Sequence, residues 1–302
     1  MATRSTDGAS VHLLDAARTA AKQAGVEAAA TEQDRRITGV SAAAARAAGA
    51  FALGVPRSEG GIEAGLSTRV RFLAELGRGC PSTAWVAATT LEAKRVLHLT
   101  IDRDWHMAGL GGTGSHTLVG DDVWIPDSHR LDLPRIAAAP SNIPIAVGLF
   151  APLWGAARGA LDIVVDVLAQ RTSPNRAHPT PADSPGTRTN LAVAAHKIDS
   201  AERRMPGIAA VVDATQPGEV LAATERARLR MDLIAAVREC RGALEDLLDL
   251  HGSSGLDSSN PLQRYWRDFA VGSRHVQFTF HVVEDDYGVL LLDIDEAPSG
   301  LL

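Results

Sequence analysis

The feature that most constrains this chain is the helical spacing of apolar residues across its C-terminal half. Residues 143–170 place apolar side chains three or four positions apart, at Leu149, Leu153, Ala156, Ala160, Ile163, Val164 and Val167. Residues 191–212 and 221–250 repeat the pattern, with a Pro-Gly break between them. The apolar face of such a helix must be buried against another element. Together with a fourth segment, residues 251–283, these segments predict a four-helix bundle.

The first hundred residues are also predicted to be helical. Helical spacing begins at Val11, and Thr31 to Arg36 has the composition of a capped helix start. An Ala-rich helix is expected over Val40 to Leu53, of the kind that packs closely against its neighbours. Leu66 to Leu76 is amphipathic, and Pro81 is placed to begin the next helix. The sequence therefore predicts an N-terminal helical domain.

A short segment between these two helical regions favours β-structure. Thr117-Leu118-Val119 and Asp122-Val123-Trp124-Ile125 are apolar and β-branched, and Gly120-Asp121 is a candidate turn between them. Strands this short are marginal without other support. The predicted fold class is therefore mainly α: an N-terminal helical domain (residues 1–99), a truncated β insert (100–140) and a C-terminal four-helix bundle (141–302).

Composition excludes several classes of protein. A formal net charge of −6 over 302 residues argues against a nucleic-acid surface. No apolar signal core or uninterrupted apolar run of about 18 residues is present, so no membrane partner is predicted and a cytoplasmic protein is expected. Cys80 and Cys240 lack metal-site spacing, and no metal is predicted.

Residues 251–283 contain the densest cluster of polar and aromatic side chains. At 100° per residue one face is apolar, formed by Leu262, Tyr265, Trp266, Phe269, Val276 and Phe280. The opposite face carries Arg264, Asp268 and His275, with Arg267 at its shoulder. Periodicity alone is explained by a packed helix with a solvated stripe. Two Arg, an Asp and a His at these spacings are also typical of a helix whose polar face borders a ligand site.

Four motifs carry a resemblance to a known family. Arg264-x-x-Arg267-Asp268, followed seven residues after the Asp by His275, is similar to the C-terminal helix of the acyl-CoA dehydrogenase fold. The stretches GVPRSEGG (54–61), ELGRGCPSTAWV (75–86) and GGTGS (111–115) with VWIP (123–126) resemble other family segments in the same order. More narrowly, the chain resembles the oxygenase halves of two-component flavin-dependent monooxygenases.

The resemblance implies an activity and its partners. It implies an enzyme that takes reduced flavin, FAD or FMN, from a separate reductase and uses oxygen to oxygenate a small aromatic, polyketide-like or amino-bearing substrate. A dry pocket and a group that manages protons are the protein's contributions. The family's bundle helices pack against other subunits, so a homodimer or homotetramer is expected.

The resemblance also implies roles for individual residues. His275 stands where the monooxygenase branch places its pocket histidine, and imidazole can hold or release a proton near neutral pH. Arg267 matches an arginine that reaches flavin phosphate or a neighbouring subunit, although pairing with nearby acidic side chains explains it equally well. The remaining candidates are Thr113 and Ser115 for the cofactor, and Ser82 and Trp85 for the substrate pocket.

One departure from the family leaves an alternative open. Only nine residues, Thr100 to Ala108, separate Leu99 from Gly109, so strands that form one wall of the family's flavin site are missing. The alternative is a member that has lost the cofactor and serves as a non-redox enzyme, such as a cyclase or dehydratase, or as a small-molecule binding protein. A non-catalytic scaffold is a third possibility.

Overall fold

The computed structural model describes residues 4–90, 100–120, 142–172, 178–216, 219–294 and 299. The helices of these residues are α1 (Arg4–Val26), α2 (Ala28–Gln33), α3 (Gly39–Ala47), α4 (Leu66–Gly79), α5 (Pro81–Thr90), α6 (Ile143–Gln170), α7 (Pro185–Ala214), α8 (Ala223–His251), α9 (Pro261–Gly272) and α10 (Phe280–Leu291). Two strands, β1 (Thr100–Asp102) and β2 (Thr117–Val119), pair antiparallel with Ile101 opposite Leu118. The mainly α prediction is confirmed. The predicted strand 122–125 lies outside the described residues.

One hydrophobic core joins the N-terminal helices to the bundle. It extends from Ala17 in α1 to Phe278 after α9, and α4 packs along α6. At their closest approach, a Cβ on Gly155 would lie 2.1 Å from the Ala74 carbonyl oxygen. Small residues therefore let these two backbones touch. The boundaries predicted at residues 99 and 140 stay a prediction.

The bundle is built on α6, which lies at its centre. Helix α6 is long and apolar enough to cross a membrane, but 78% of its most apolar stretch is buried within the protein, as in a core helix. Helices α7 and α8 pack antiparallel, with Lys197 paired to Asp246 (2.6 Å) and Arg204 to Glu239. The predicted helices over 143–170, 191–212 and 221–250 are confirmed, although α7 begins at Pro185.

The fourth helical segment begins at Pro261 but is not one helix as far as Phe280, contrary to the predicted apolar face. Helix α9 ends at Gly272, a short 3-10 turn spans Val276–Phe278, and α10 begins at Phe280. The break changes which residues face the core. Asp268, predicted on a polar face, is 3% exposed, whereas Val276, predicted on the apolar face, is 62% exposed.

Two N-terminal predictions are also wrong. Thr31 to Arg36 is a helix end, because α2 stops at Gln33 and Arg35 takes a positive φ of 53°. The helix expected over Val40 to Leu53 ends at Ala47, since Gly49 adopts the left-handed conformation (φ 85°) that commonly terminates helices.

Candidate functional site

A cavity of about 640 Å³ lies where α5, α6 and the end of α9 meet the loop between β1 and β2. Its volume falls in the range of small-molecule sites. The walls are mostly apolar, and hydroxyls, one guanidinium and one imidazole supply the polar groups. The lining consists of Trp85, Thr89, Trp105, Met107, Leu110, Ser115, Leu149, Ala270, Val271, Gly272, Arg274 and His275.

His275 lies at the edge of this cavity, in the turn that follows α9. The residue is exposed, but its ring contacts Trp85 and Phe278 edge-on, with centroids 5.9 Å and 6.3 Å away. This partial burial lowers the pKa of His275 below its ordinary value of 6.5. The neutral form of the ring is therefore favoured.

The hydrogen bond of His275 fixes which ring nitrogen carries the proton. His275 caps the turn after it, because its Nδ1 accepts a hydrogen bond from the Gln277 backbone N–H at 3.2 Å. A neutral imidazole that accepts at Nδ1 must carry its proton on Nε2. In this tautomer the second ring nitrogen is a hydrogen-bond donor.

Two arginines of α8 hold this turn in place. Arg230 is fully buried and donates to the Gln277 carbonyl oxygen at 2.6 Å and to its side-chain Oε1 at 3.1 Å. Burial lowers the pKa of Arg230 to about 10, so its guanidinium remains charged. Arg241 donates to the carbonyl oxygen and the hydroxyl of Ser273, both at 2.9 Å. The position of His275 is thus set by α8.

The opposite wall is the β1–β2 loop, residues 103–116, which contributes Trp105, Met107, Leu110 and Ser115. The loop is cross-linked by its own hydrogen bonds. Trp105 Nε1 donates to the Leu110 carbonyl oxygen at 3.0 Å, and the Thr113 hydroxyl donates to the same oxygen at 2.9 Å. The Thr113 and Ser115 hydroxyls lie 2.8 Å apart.

The structure brings some of the predicted site residues together and places others elsewhere. Trp85, Ser115 and His275 all line the cavity, and Thr113 adjoins it through its contact with Ser115. Ser82 does not line the cavity. It is buried beneath the loop, where a Cβ on Gly112 would meet the Ser82 Cβ at 3.2 Å.

Arg267, the other cofactor candidate, is engaged within the chain. It pairs with Glu32 at 2.5 Å, donates from Nε to Gln263 Oε1 at 2.6 Å, and donates to the Ala108 carbonyl oxygen. It is not among the residues that line the cavity. The acidic partner is Glu32 of α2 rather than a neighbour on the same helix, and the flavin contact of Arg267 stays a prediction.

Sequence reasoning found three of the twelve lining residues and missed the other nine, including Trp105, Met107, Leu149 and Arg274. For Trp105 a signal existed, since the chain holds five Trp although aromatic residues are only 4% of its composition. Leu149 is one apolar position among many in α6, and no sequence pattern separates it from the core. Within the described residues, no cluster of three His, Cys, Asp or Glu could hold a metal ion.

The chain is similar to flavin-dependent oxygenases. Residues 147–280 match the family described as acyl-CoA dehydrogenase, C-terminal domain. The oxygenase subunit HsaA of a flavin-dependent monooxygenase from Rhodococcus jostii (strain RHA1) is 31% identical over 192 residues, covering 58% of this chain and 50% of that protein. The oxygenase component of an FADH(2)-dependent resorcinol hydroxylase from Rhizobium sp. (strain MTP-10005) is 30% identical over 224 residues, covering 66% and 54%.

A solved structure extends this similarity over the whole chain. XiaF from Streptomyces sp., in complex with FADH2 and glycerol, superposes with a TM-score of 0.88 at 23% identity, covering 98% of each chain. The resemblance stated from the sequence motifs is confirmed at the level of the fold. The chain spans about half the length of the curated relatives it matches.

Proposed function

We propose, from the premise that this chain has the acyl-CoA dehydrogenase fold, that it is the oxygenase component of a two-component flavin-dependent monooxygenase. Its substrate is a small aromatic molecule, and a separate reductase supplies the reduced flavin. The observation that carries the proposal is the cavity itself. Two tryptophans, Trp85 and Trp105, form flat apolar walls, and His275 is the group in the lining that can exchange a proton near neutral pH.

The residues of the cavity fit a flavin ring system. The tricyclic ring is flat and largely apolar, which suits the indole walls and Met107, and its polar edge requires hydrogen-bond partners. The Ser115 hydroxyl and the Arg274 guanidinium are lining groups that can supply them. Arg274 donates to the Ala270 carbonyl oxygen at 2.6 Å and retains further N–H groups for a ligand. Reduced flavin, when bound, supplies the electrons that activate oxygen.

The residues of this chain then perform three tasks. The indole and aliphatic walls orient the aromatic substrate and exclude water, which strengthens every electrostatic interaction in the site. His275 carries its proton at Nε2 and donates a hydrogen bond from it to an oxygen of the bound ligand. To remove a proton from a substrate hydroxyl, the ring would first have to move its own proton to Nδ1 and break the bond to Gln277. The geometry therefore favours a donor role.

A flavin titration tests the proposal. Purified protein is titrated with FMN and FAD, oxidised and anaerobically reduced, while absorbance and flavin fluorescence are followed. We expect reduced flavin to bind more tightly than oxidised flavin. We also expect oxygen consumption coupled to hydroxylation of a simple phenol only when a flavin reductase is present.

The same experiment tests the cofactor-free alternative. The two strands of the described β segment are each three residues long and exposed throughout, so the wall they offer a flavin is small. Failure of every flavin form to bind would refute the monooxygenase proposal. It would favour a non-redox enzyme or a binding protein that uses the same cavity.

A further inference from the structure

The wall formed by the β1–β2 loop has almost no secondary structure of its own. Between β1 and β2 the described chain forms one short 3-10 turn, Gly111–Thr113, and Leu110 takes a positive φ of 52°. A two-stranded hairpin is marginal in isolation. Besides the loop's own hydrogen bonds, contacts from outside the loop hold it in the conformation that brings Trp105 and Met107 to the cavity.

The first anchor is Asp268 of α9. Its carboxylate Oδ1 accepts a hydrogen bond from the Leu110 backbone N–H at 2.6 Å, and both residues are buried. Leu110 is itself a lining residue and accepts the indole N–H of Trp105. A buried hydrogen bond is stronger than the same bond in water, because the local dielectric constant is low. This contact therefore joins α9 to the loop at the residue on which Trp105 also depends.

The second anchor is a pair of arginines, Arg267 and Arg35. Arg267 Nη1 donates to the Ala108 carbonyl oxygen and is held in place by Glu32 of α2. Arg35 Nη1 donates to the carbonyl oxygens of Trp105 and Met107 at 3.3 Å and 3.2 Å. Four hydrogen bonds, at Trp105, Met107, Ala108 and Leu110, thus hold the backbone of the loop.

We propose that Asp268 and Arg267 are positioning residues that hold the β1–β2 loop against α9 as a wall of the cavity. Neither residue lines the cavity, and each acts through the backbone it binds. These contacts of Asp268 and Arg267 with the loop are called the clamp below. Any effect of these two residues on flavin binding rests on the proposed function, whereas their contacts with the loop do not.

Hydrogen–deuterium exchange of the flavin-free protein tests the clamp directly. In Asp268→Ala, we expect peptides covering residues 104–116 to exchange about ten- to a hundred-fold faster, because the buried Leu110 N–H loses its acceptor. Asp268→Asn retains an acceptor oxygen for the Leu110 N–H and should stay close to the wild type. Asp162→Ala is the matched control, because Asp162 also accepts two hydrogen bonds, from Arg78, at a site that does not touch the loop.

Arg267→Met gives an independent test. The Arg267 side chain is 26% exposed, and methionine replaces it without placing a new charge in the protein. Faster loop exchange in both Asp268→Ala and Arg267→Met, with unchanged exchange in α6, supports the clamp. Unchanged loop exchange in both variants overturns it, as does acceleration spread equally over α6. Weaker flavin binding by Arg267→Met without faster loop exchange would show that Arg267 binds the cofactor and does not hold the loop. It would leave the monooxygenase proposal intact.

Discussion

At the scale of single residues, His275 combines a structural and a chemical task. Its Nδ1 caps the Val276–Phe278 turn, and its ring borders the cavity. His275→Ala removes both, and we expect turnover to fall by about 10²–10³-fold, the usual contribution of one positioned hydrogen-bond donor. His275→Asn separates the tasks, because asparagine lacks the ring but its side-chain amide oxygen can still accept a hydrogen bond from the Gln277 N–H. Steady-state kinetics and melting temperature measured together should show near-normal stability and low turnover for the Asn variant. Full activity of that variant would contradict the role assigned to the ring.

Asp268 has a second, pH-dependent consequence. Burial raises the pKa of Asp268 from its ordinary 3.8 to about 7, despite the Leu110 hydrogen bond. The charged and titratable groups around it are Glu32, Arg264, Arg267, Cys80 and Tyr265. Because the folded-state pKa is the higher one, the stability contribution is complete below about pH 4 and is lost as pH rises through 7.

The corresponding test compares melting temperatures of the wild type and Asp268→Asn between pH 5 and pH 8. The variant has no proton to lose at this position, so its melting temperature relative to the wild type should increase as pH rises. The cavity histidine shifts in the other direction and is common to both proteins, so it cancels in the difference. A difference that stays constant over this pH range would show that Asp268 does not titrate as its burial requires.

At the scale of elements, the helices follow from sequence and the break after α9 does not. Helical spacing located α6, α8 and most of α7 because each buries one continuous face. The same 100° periodicity carried across Gly272 misplaced Asp268 and Val276, because it assumed one unbroken helix. Tertiary contacts end α9, because Arg241 binds Ser273 and Arg230 binds Gln277. Both arginines belong to α8, some thirty to fifty residues earlier in the chain.

The candidate site shows the same division. The motifs containing Trp85, Ser115 and His275 pointed to residues that do meet, because the family resemblance carries information on long-range contacts. The β1–β2 loop was described only as a remnant of strands, and its role as a wall depends on hydrogen bonds to α9 that no local pattern encodes. Arg267 was matched by motif to a flavin contact, yet Glu32, 235 positions away, provides its partner.

The contact between the β1–β2 loop and α9 can be tested through Gly109. A Cβ at this position would lie 2.1 Å from the Arg267 carbonyl oxygen, and no backbone atom there can yield without moving α9 or the loop. We expect Gly109→Ala to destabilise the protein by about 1–3 kcal/mol, in the range of overpacking, and to weaken ligand binding.

Gly207→Ala in α7 is the control, because its Cβ would meet no atom within 4 Å. That change should stabilise by about 0.4–1 kcal/mol through the unfolded state. Chemical denaturation of both variants measures their free energies of unfolding. Equal values would contradict the tight contact at Gly109.

At the scale of the whole molecule, α7 is the helix that this chain leaves least covered. It buries six of its 30 residues, against 16 of 28 in α6, and Val193 in its N-terminal half is 49% exposed beside the exposed Ala192. An apolar helix face of a bundle is normally covered, and the sequence-based expectation is a homodimer or homotetramer. We therefore predict that a second copy covers this face.

Mass photometry at micromolar concentration should give the mass of two or four chains, and Val193→Glu should shift it toward one, since a buried unpaired carboxylate is costly. Val26→Glu is the control, because Val26 is 84% exposed at the end of α1, far along the chain from α7. A monomer at every concentration would contradict assembly itself, whereas an unchanged oligomer of Val193→Glu would place the interface elsewhere.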